Sequence, residues 1–498
     1  MALFAASPIL LILVLMLLLR WSAARAGLAG CALTAALVLT VFDHDDGGTA
    51  VLAGALAEAA FTAATILWIL WPALALHQHQ QDSGALDRLR SGLAKVSARP
   101  ALQVLLVGWF AALFMEGAAG FGTPVALAAP LLLSLGVPVV QAVVLALLGH
   151  AVGVSFGALG TPVMAQVALT ELDAGAIAWR TAALHALTGA VMMAALQRSL
   201  ASAPEGIGAP PLGWSALAAL AFLAPSLAIA ALLGPELATL GAALLGGGAF
   251  VLLLRTRGAS PARPAPAGTA ALLPAFWPYA VLVLLVLATR AVPPVAAALG
   301  DWTLEWRWLD RFTGRMSPLA HPGTLLFLSL LVGAALQGVP LSRLRAPLAG
   351  AARRLVPVSV ALLAMLWLSR LMVHAGMIDA IQQAAVRAIG AGWPAVAPAV
   401  GALGSFVTGS ATASNVLLTT LQAQTAQALG LPAVLMVAAQ GFGAAVGNIV
   451  CPHNIVAGAA TVGLAGRESE ILRRTVGPCV AYLIAGGAAV FAWAWMAG

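Results

Sequence analysis

The chain has 498 residues, of which 24 are Lys or Arg and 17 are Asp or Glu; 8% are charged, against roughly 25% in typical soluble proteins. Hydrophobic residues make up 62% and the mean hydropathy is +1.00, which excludes a soluble globule, a disordered chain, collagen and a coiled coil. The net charge of +7 is carried almost wholly by arginines scattered over short loops, with Lys95 the single lysine, so no basic face forms and no nucleic-acid partner is expected. Cys31, Cys451 and Cys479 have neither CxxC nor ligand spacing; neither disulfide scaffold nor metal site is expected, and no cofactor is called for.

Apolar stretches of about 20 residues match a bilayer, whereas a membrane β-barrel would need short alternating segments. In chain order, 4–19 reads as a first span and not as a removed signal peptide, because it lacks a basic n-region. Spans follow at 27–42 and 51–76. The stretch 101–135 is interrupted by Gly, Thr and Pro at its middle and is expected to be a re-entrant hairpin; 138–169 is a broken helix. Spans are then expected at 178–197, 213–232 and 237–254. The Pro-, Ala- and Arg-rich segment 255–272 reads as an extended, solvated linker. In the second half, spans 273–298, 322–339 and 355–373 precede a second hairpin, 394–429, a second broken helix, 431–465, and a last span, 475–497. Segment 301–315, with Trp302, Trp306 and Trp308 among charges, reads as an interfacial belt, and 376–391 as a surface-lying amphipathic connector.

The expected fold is therefore an all-α polytopic membrane protein of about twelve transmembrane helices plus two re-entrant hairpins, with an N-terminal half over 1–254 and a C-terminal half over 273–498. Charge orients it. With the loop holding Arg20 and Arg25 inside, most of the other basic loops also fall inside, and the acidic stretch Asp43–Asp46 falls outside with both termini.

The halves rhyme. Hairpin one ends in Leu135-Gly136-Val137-Pro138 and hairpin two in Leu429-Gly430-Leu431-Pro432. Each is followed by an apolar helix broken at glycine and proline, at Ser155–Pro162 and at Gly447–Asn454. In this topology the hairpins enter from opposite sides, so the repeat is inverted. That is a pattern of secondary transporters, whose paired breaks mark the substrate site near the midplane.

At these breaks the sequence resembles the L-lactate permease family. The run Glu116–Ala126 (EGAAGFGTPVA) resembles its most characteristic motif, and Phe156–Gly160, Gly234–Leu237, Thr408–Asn415, Pro452–Ile455 and Ala460–Leu464 resemble others, in order. The resemblance implies proton-coupled uptake of L-lactate, D-lactate and glycolate through a bacterial inner membrane. It also implies an inverted-repeat fold, often a homodimer working by an elevator motion. The chain departs from common family residues at Ala411, Ala413, Asn448, His453 and His150.

Helix ends aimed at a carboxylate supply N–H donors and a positive dipole end. Thr123 lies just past the first break, and Ser410, Thr412, Ser414 and Asn415 lie at the second hairpin's break; they either bind the substrate or only cap broken helices. Ser155, Asn448 and Asn454 stand at the helix breaks as further substrate ligands, with Gly120, Gly122, Gly157, Gly160, Gly409 and Gly447 allowing close backbone approach. Glu116 lies inside an apolar run beside a break, where a carboxylate is costly. It is expected to carry the proton or gate the substrate, the alternative being a structural cap. His150 and His453 are candidate proton relays, His150 for coupling and His453 also for substrate. Arg370 either pairs the substrate carboxylate or snorkels to the interface, and Glu58 reads as a helix-packing residue. No HExxH and no paired acids within a few turns point to an embedded enzyme. Transport of another small organic anion, or coupling to sodium, is the main rival reading.

Overall fold

The computed structural model describes residues 1–17, 19, 21–42, 48–85, 88, 96–97, 99–120, 122–202, 207–256, 273–464 and 467–497. The expected linker, from 257 onward, and the acidic stretch at 43–46 lie outside the described residues. The first half contains α1 (Ala2–Leu17), α2 (Ala23–Thr40), α3 (Gly48–Asp82), α4 (Pro100–Ala118), α5 (Thr123–Ser134), α6 (Val139–His150), α7 (Gly157–Thr170), α8 (Ala174–Thr188), α9 (Ala190–Ala201), α10 (Leu212–Leu232) and α11 (Ala238–Thr256). The second contains α12 (Leu273–Ala291), α13 (Pro293–Gly300), β1 (Leu304–Trp308), β2 (Phe312–Met316), α14 (Pro322–Leu336), α15 (Arg345–His374), α16 (Met377–Ile389), α17 (Trp393–Thr408), α18 (Ala411–Ala428), α19 (Ala433–Gly447), α20 (Pro452–Thr461) and α21 (Glu468–Ala497).

Among the described residues nine helices are long and apolar enough to cross a membrane, or ten if the pair Pro274–Thr289 and Pro293–Gly300, bent by 89°, is one span. The chain is thus an all-α, multi-pass membrane protein. The nine are not a subset of the expected spans: they include Pro100–Ala118 and Met377–Thr408, each holding an arm of an expected hairpin, whereas α1, α2 and α14 have apolar stretches of only 10–17 residues and the expected span 178–197 is divided at Gly189 between α8 and α9. α16 is a short amphipathic connector, as its polar spacing predicts, burying only Met377 and Ile378.

Segment 301–315 is not a featureless belt. It forms most of an antiparallel hairpin with Trp306 opposite Gly314 and Glu305 opposite Arg315. The hairpin lies on α3: a Cβ on Gly54 would overlap the Phe312 ring, and Phe61 meets Trp306 edge-on at 6.2 Å.

Both expected hairpins are helix–break–helix pairs, α4 with α5 and α17 with α18, whose arms pack against each other. α4 carries a π-helical stretch at Leu106–Ala111. The two LGxP marks fold alike. Gly136 (φ +88°) and Gly430 (φ +65°) take the left-handed conformation. Val137 N–H donates to Leu132 O at 3.1 Å, and Leu431 N–H to Ala426 O at 2.8 Å. These are the long bonds of a Schellman end, which needs a residue without a Cβ penalty at that position. Pro138 and Pro432 then cap the next helices, α6 and α19. α6 continues through a 3-10 stretch, Ala151–Phe156, into α7. While α20 is exposed at Pro452, His453 and Val456, the most apolar 18 residues of Val139–Thr170 are fully enclosed and those of Ala433–Thr461 nearly so. Such enclosure explains why their sequences show no polar face.

Candidate functional site

Four helices begin at the breaks. α5 follows Gly122 (φ +78°), and α18 follows Gly409 (φ +80°) and Ser410. α20 starts at Pro452, which has no N–H to lose at a first helical position. α7 winds through three consecutive left-handed residues, Ala158 (φ +42°), Leu159 (φ +59°) and Gly160 (φ +78°), before regular helix resumes. Left-handed non-glycine residues cost of order 1–3 kcal/mol each and persist only where the surroundings impose them.

The four starts form a closed ring. A Cβ on Gly120 would stand 3.2 Å from Ala158 N, so the tip preceding α5 abuts α7. Asn415 Nδ2 of α18 donates to Pro162 O of α7 at 3.0 Å. A Cβ on Gly409 would stand 3.2 Å from His453 Cβ, joining the α18 break to α20. A Cβ on Gly122 would lie 3.2 Å from Asn454 Oδ1, closing α20 onto α5. Each helix start offers free N–H groups and the positive end of its dipole, worth roughly 0.3–1 kcal/mol to an anion when exposed and up to about 2 when partly buried. Among the described residues the ring therefore has the electrostatics of an anion site made from helix ends, with no lysine or arginine among the residues that close it.

Beside this ring an acid faces an imidazole. Glu116, near the end of α4, is 5% exposed, and its Oε2 lies 3.9 Å from His150 Nε2. Its Oε1 occupies the space a side chain on Gly157 would need. His150 Nδ1 lies 2.7 Å from Ala146 O. A carbonyl only accepts, so Nδ1 carries a proton, and in the neutral ring Nε2 is the free base turned toward Glu116. The ring also contacts the Asn448 side chain, whose Oδ1 accepts from Asn454 Nδ2 at 2.5 Å. Glu116, His150, Asn448 and Asn454 thus form one polar chain across the two halves.

The remaining expected residues divide. Thr123 Oγ1 donates to Gly120 O at 2.7 Å, tying down the tip before α5, and Ser410 Oγ accepts from Ala413 N at 3.3 Å as the N-cap of α18. Thr412 is buried in the first turn of α18. Asn415 Oδ1 is buried with no hydrogen-bond partner, while its amide group is held by Pro162. Ser414 Oγ donates to Gly401 O at 2.7 Å, inside the hairpin, and a Cβ on Gly447 would overlap Ala402 O at a close helix crossing. Gly160 is pressed against Pro235 of the Gly234–Leu237 stretch, which accounts for that motif. Ser155 is turned to a different set. Its hydroxyl donates to Gly441 O at 3.1 Å, so His185 Nε2–H donates to Ser155 Oγ at 2.8 Å, and the Tyr482 hydroxyl to His185 Nδ1 at 2.7 Å.

Arg370 belongs to a second buried cluster. Its Nη2 donates to Ala168 O at 2.9 Å and its Nε lies 3.7 Å from Glu58 Oε2. Ala168 is roughly 12 Å along α7 from Gly160. Glu58 Oε2 is also 2.8 Å from His374 Nε2, and Oε1 accepts from Thr313 N of β2 at 3.0 Å. His374 and this role for Glu58 are not apparent from the motifs. The available signal is that two intramembrane charges of opposite sign, Glu58 and Arg370, each require a partner.

Comparison with known proteins agrees with this architecture. A family model described as L-lactate permease matches residues 1–317 and 310–496. Similar proteins include an L-lactate permease of Salmonella typhi, 28% identical over 82% of this chain and 81% of that one. A glycolate permease of Escherichia coli is 26% identical over the same shares, and an L-lactate permease of Bacillus subtilis is 25% identical over 95% and 92%. Two solved transporters share the fold at 15% identity. These are MtrF of Neisseria gonorrhoeae (TM-score 0.52, 95% of this chain and 96% of that one) and YdaH of Alcanivorax borkumensis (TM-score 0.51, 95% and 97%). A family match over both halves places the chain in the L-lactate permease family, as a transporter and not an enzyme.

Proposed function

We propose that the protein imports L-lactate, and with it D-lactate and glycolate, together with protons across the bacterial inner membrane. The observation that carries this reading is the ring of four helix starts with the acid–imidazole pair Glu116–His150 beside it. A 2-hydroxymonocarboxylate has one negative charge, for the helix ends, and one hydroxyl. The hydroxyl donates to Asn415 Oδ1, the buried acceptor left open at the ring. Glu116 takes the proton, and His150, with its base nitrogen turned to the acid, passes it on. Ser410, Thr412, Asn448, His453 and Asn454 line the carboxylate side, while Ser155 and Ser414 hold the broken helices in place. Arg370 acts on the substrate's path along α7 and not at the ring. The matched turns at Gly136 and Gly430 support an inverted repeat of halves 1–254 and 273–498, and the charge bias supports termini on the outer side.

Uptake of labelled L-lactate into proteoliposomes, with an inward proton gradient and no sodium, tests the reading. Accumulation above equilibrium, abolished by a protonophore and competed by glycolate, is expected. Accumulation that requires sodium, or none in sealed and correctly oriented vesicles, would overturn it.

A further inference from the structure

We propose that a groove between hairpin one and α11 binds an acyl chain of an anionic phospholipid, with Arg255 on its phosphate. The groove, a cavity of about 290 Å³, runs between Phe110 and Phe114 of α4, Leu131 of α5 and Gly247 of α11, with Arg255 at one end. Apart from Arg255 its named walls are apolar, so it is dressed for a hydrocarbon tail and not for lactate.

Three observations make it a built site. First, α11 carries Gly246-Gly247-Gly248 in the middle of an apolar span. Glycine inside a helix costs roughly 0.5–1 kcal/mol relative to alanine, so each needs a reason. Gly246 has one: a Cβ there would overlap Ala221 O at the crossing with α10. Gly247 and Gly248 have no such reason, since a Cβ on Gly247 would make ordinary contact with Phe110 at 3.5 Å and one on Gly248 would meet nothing within 4 Å. Their missing side chains open the groove. Second, the groove faces lipid: Leu245 and Leu252 beside it on α11 are 63% and 62% exposed. Third, its polarity runs along the bilayer normal. A helix of 19 residues rises about 28 Å, close to the ~30 Å hydrocarbon layer. Arg255, in its last turn, therefore stands at headgroup level, and among the described residues it has no acidic partner. A cation at the interface over an apolar furrow matches a phospholipid's phosphate and tail. A second protein segment would leave Arg255 facing apolar surface. The seated tail packs on Phe114, two residues from Glu116, and on the π-helical stretch of α4, placing a lipid against the hairpin that carries the acid.

The test is native mass spectrometry of the full chain purified in mild detergent from a membrane of known lipid composition. The wild type is expected to retain about one phospholipid per chain, enriched several-fold in phosphatidylglycerol or cardiolipin over the bulk ratio. Gly248→Trp, which points a large side chain into open space, is expected to lose it. Arg255→Gln, a surface change that keeps the groove, is expected to retain lipid at the bulk headgroup ratio. Equal anionic lipid on the wild type and on Arg255→Gln overturns the headgroup assignment, whatever the folding of Gly248→Trp. A wild type with no enrichment, or a Gly248→Trp chain that changes its oligomeric mass while keeping its lipid, overturns the site itself.

Discussion

Glu116 and Gly157 form a lock at the scale of single residues. The acid's Oε1 fills the space in which a Gly157 side chain would begin. Gly157 has φ −61° and ψ 153°, an ordinary extended conformation, so alanine is barred by crowding and not by backbone strain. Gly157→Ala is therefore expected to displace the carboxyl group, cost about 1–3 kcal/mol of stability through overpacking, and reduce uptake; thermal melting beside initial uptake rates checks both. Glu116→Gln keeps the shape and removes the titrating proton. It is expected to leave lactate–lactate exchange running while proton-driven accumulation falls by roughly tenfold or more, the equivalent of about 1.4 kcal/mol. Accumulation at the wild-type rate in that variant would remove Glu116 as the carrier. Asn415 is tested by chemistry that a structural role would not mimic. Loss of one hydrogen bond to the substrate hydroxyl, worth about 0.5–1.5 kcal/mol, is expected to raise the half-saturation for lactate in Asn415→Ala. Competition by propionate, which lacks that hydroxyl, should stay as in the wild type. Equal losses for both acids would mean that Asn415 serves only its bond to Pro162.

At the scale of elements, the β-hairpin, α3 and α15 are pinned by one carboxylate. Glu58 accepts from Thr313 N and bridges His374 and Arg370 while 4% exposed. Removing one partner of a buried ion pair strands the other charge, at about 3–5 kcal/mol. Glu58→Leu is thus expected to lower the unfolding temperature more than the double variant Glu58→Leu/Arg370→Leu, and detergent melts of the two singles and the double measure the coupling. A double variant as unstable as the two singles combined would show no pairing. This cluster marks the limit of what the chain discloses in one dimension. The helix breaks were legible because Gly, Pro, Ser and Thr interrupt apolar runs at Gly120–Thr123 and Gly409–Ser410, and a backbone freed inside a membrane must serve something. The β-hairpin was not. Its connection has positive φ at Leu309 and Asp310, where a glycine or asparagine would have announced the turn, and its tryptophans fit an interfacial belt equally well. Ser155 was misleading for a related reason. It stands at a break, but its partners Gly441, His185 and, through the imidazole, Tyr482 come from elements far away in sequence, and no local pattern names them.

For the whole molecule, charge bookkeeping at the ring predicts how transport is driven. Among the described residues the ring has one acid–imidazole contact, Glu116 with His150, beside a second buried acid, Glu236, which follows the Pro235 that abuts Gly160, while Glu58 and Arg370 neutralise each other elsewhere. If Glu116 alone delivers one proton for each bound anion, the moving complex has no net charge and membrane voltage does no work on it. One pH unit is then worth 1.36 kcal/mol, about tenfold in accumulation. Proteoliposomes with a fixed pH gradient and a potassium–valinomycin potential are expected to reach the same lactate ratio at zero and at 100 mV. A second proton would make the complex positive and add about 2.3 kcal/mol per 100 mV, roughly a further fiftyfold at that potential, so the two stoichiometries are well separated. A voltage-dependent ratio would refute the one-acid account. It would also direct attention to the other buried carboxylate–imidazole contact, Glu58 with His374, which Arg370 ties to the carbonyl of Ala168 on α7, the helix that begins at the ring.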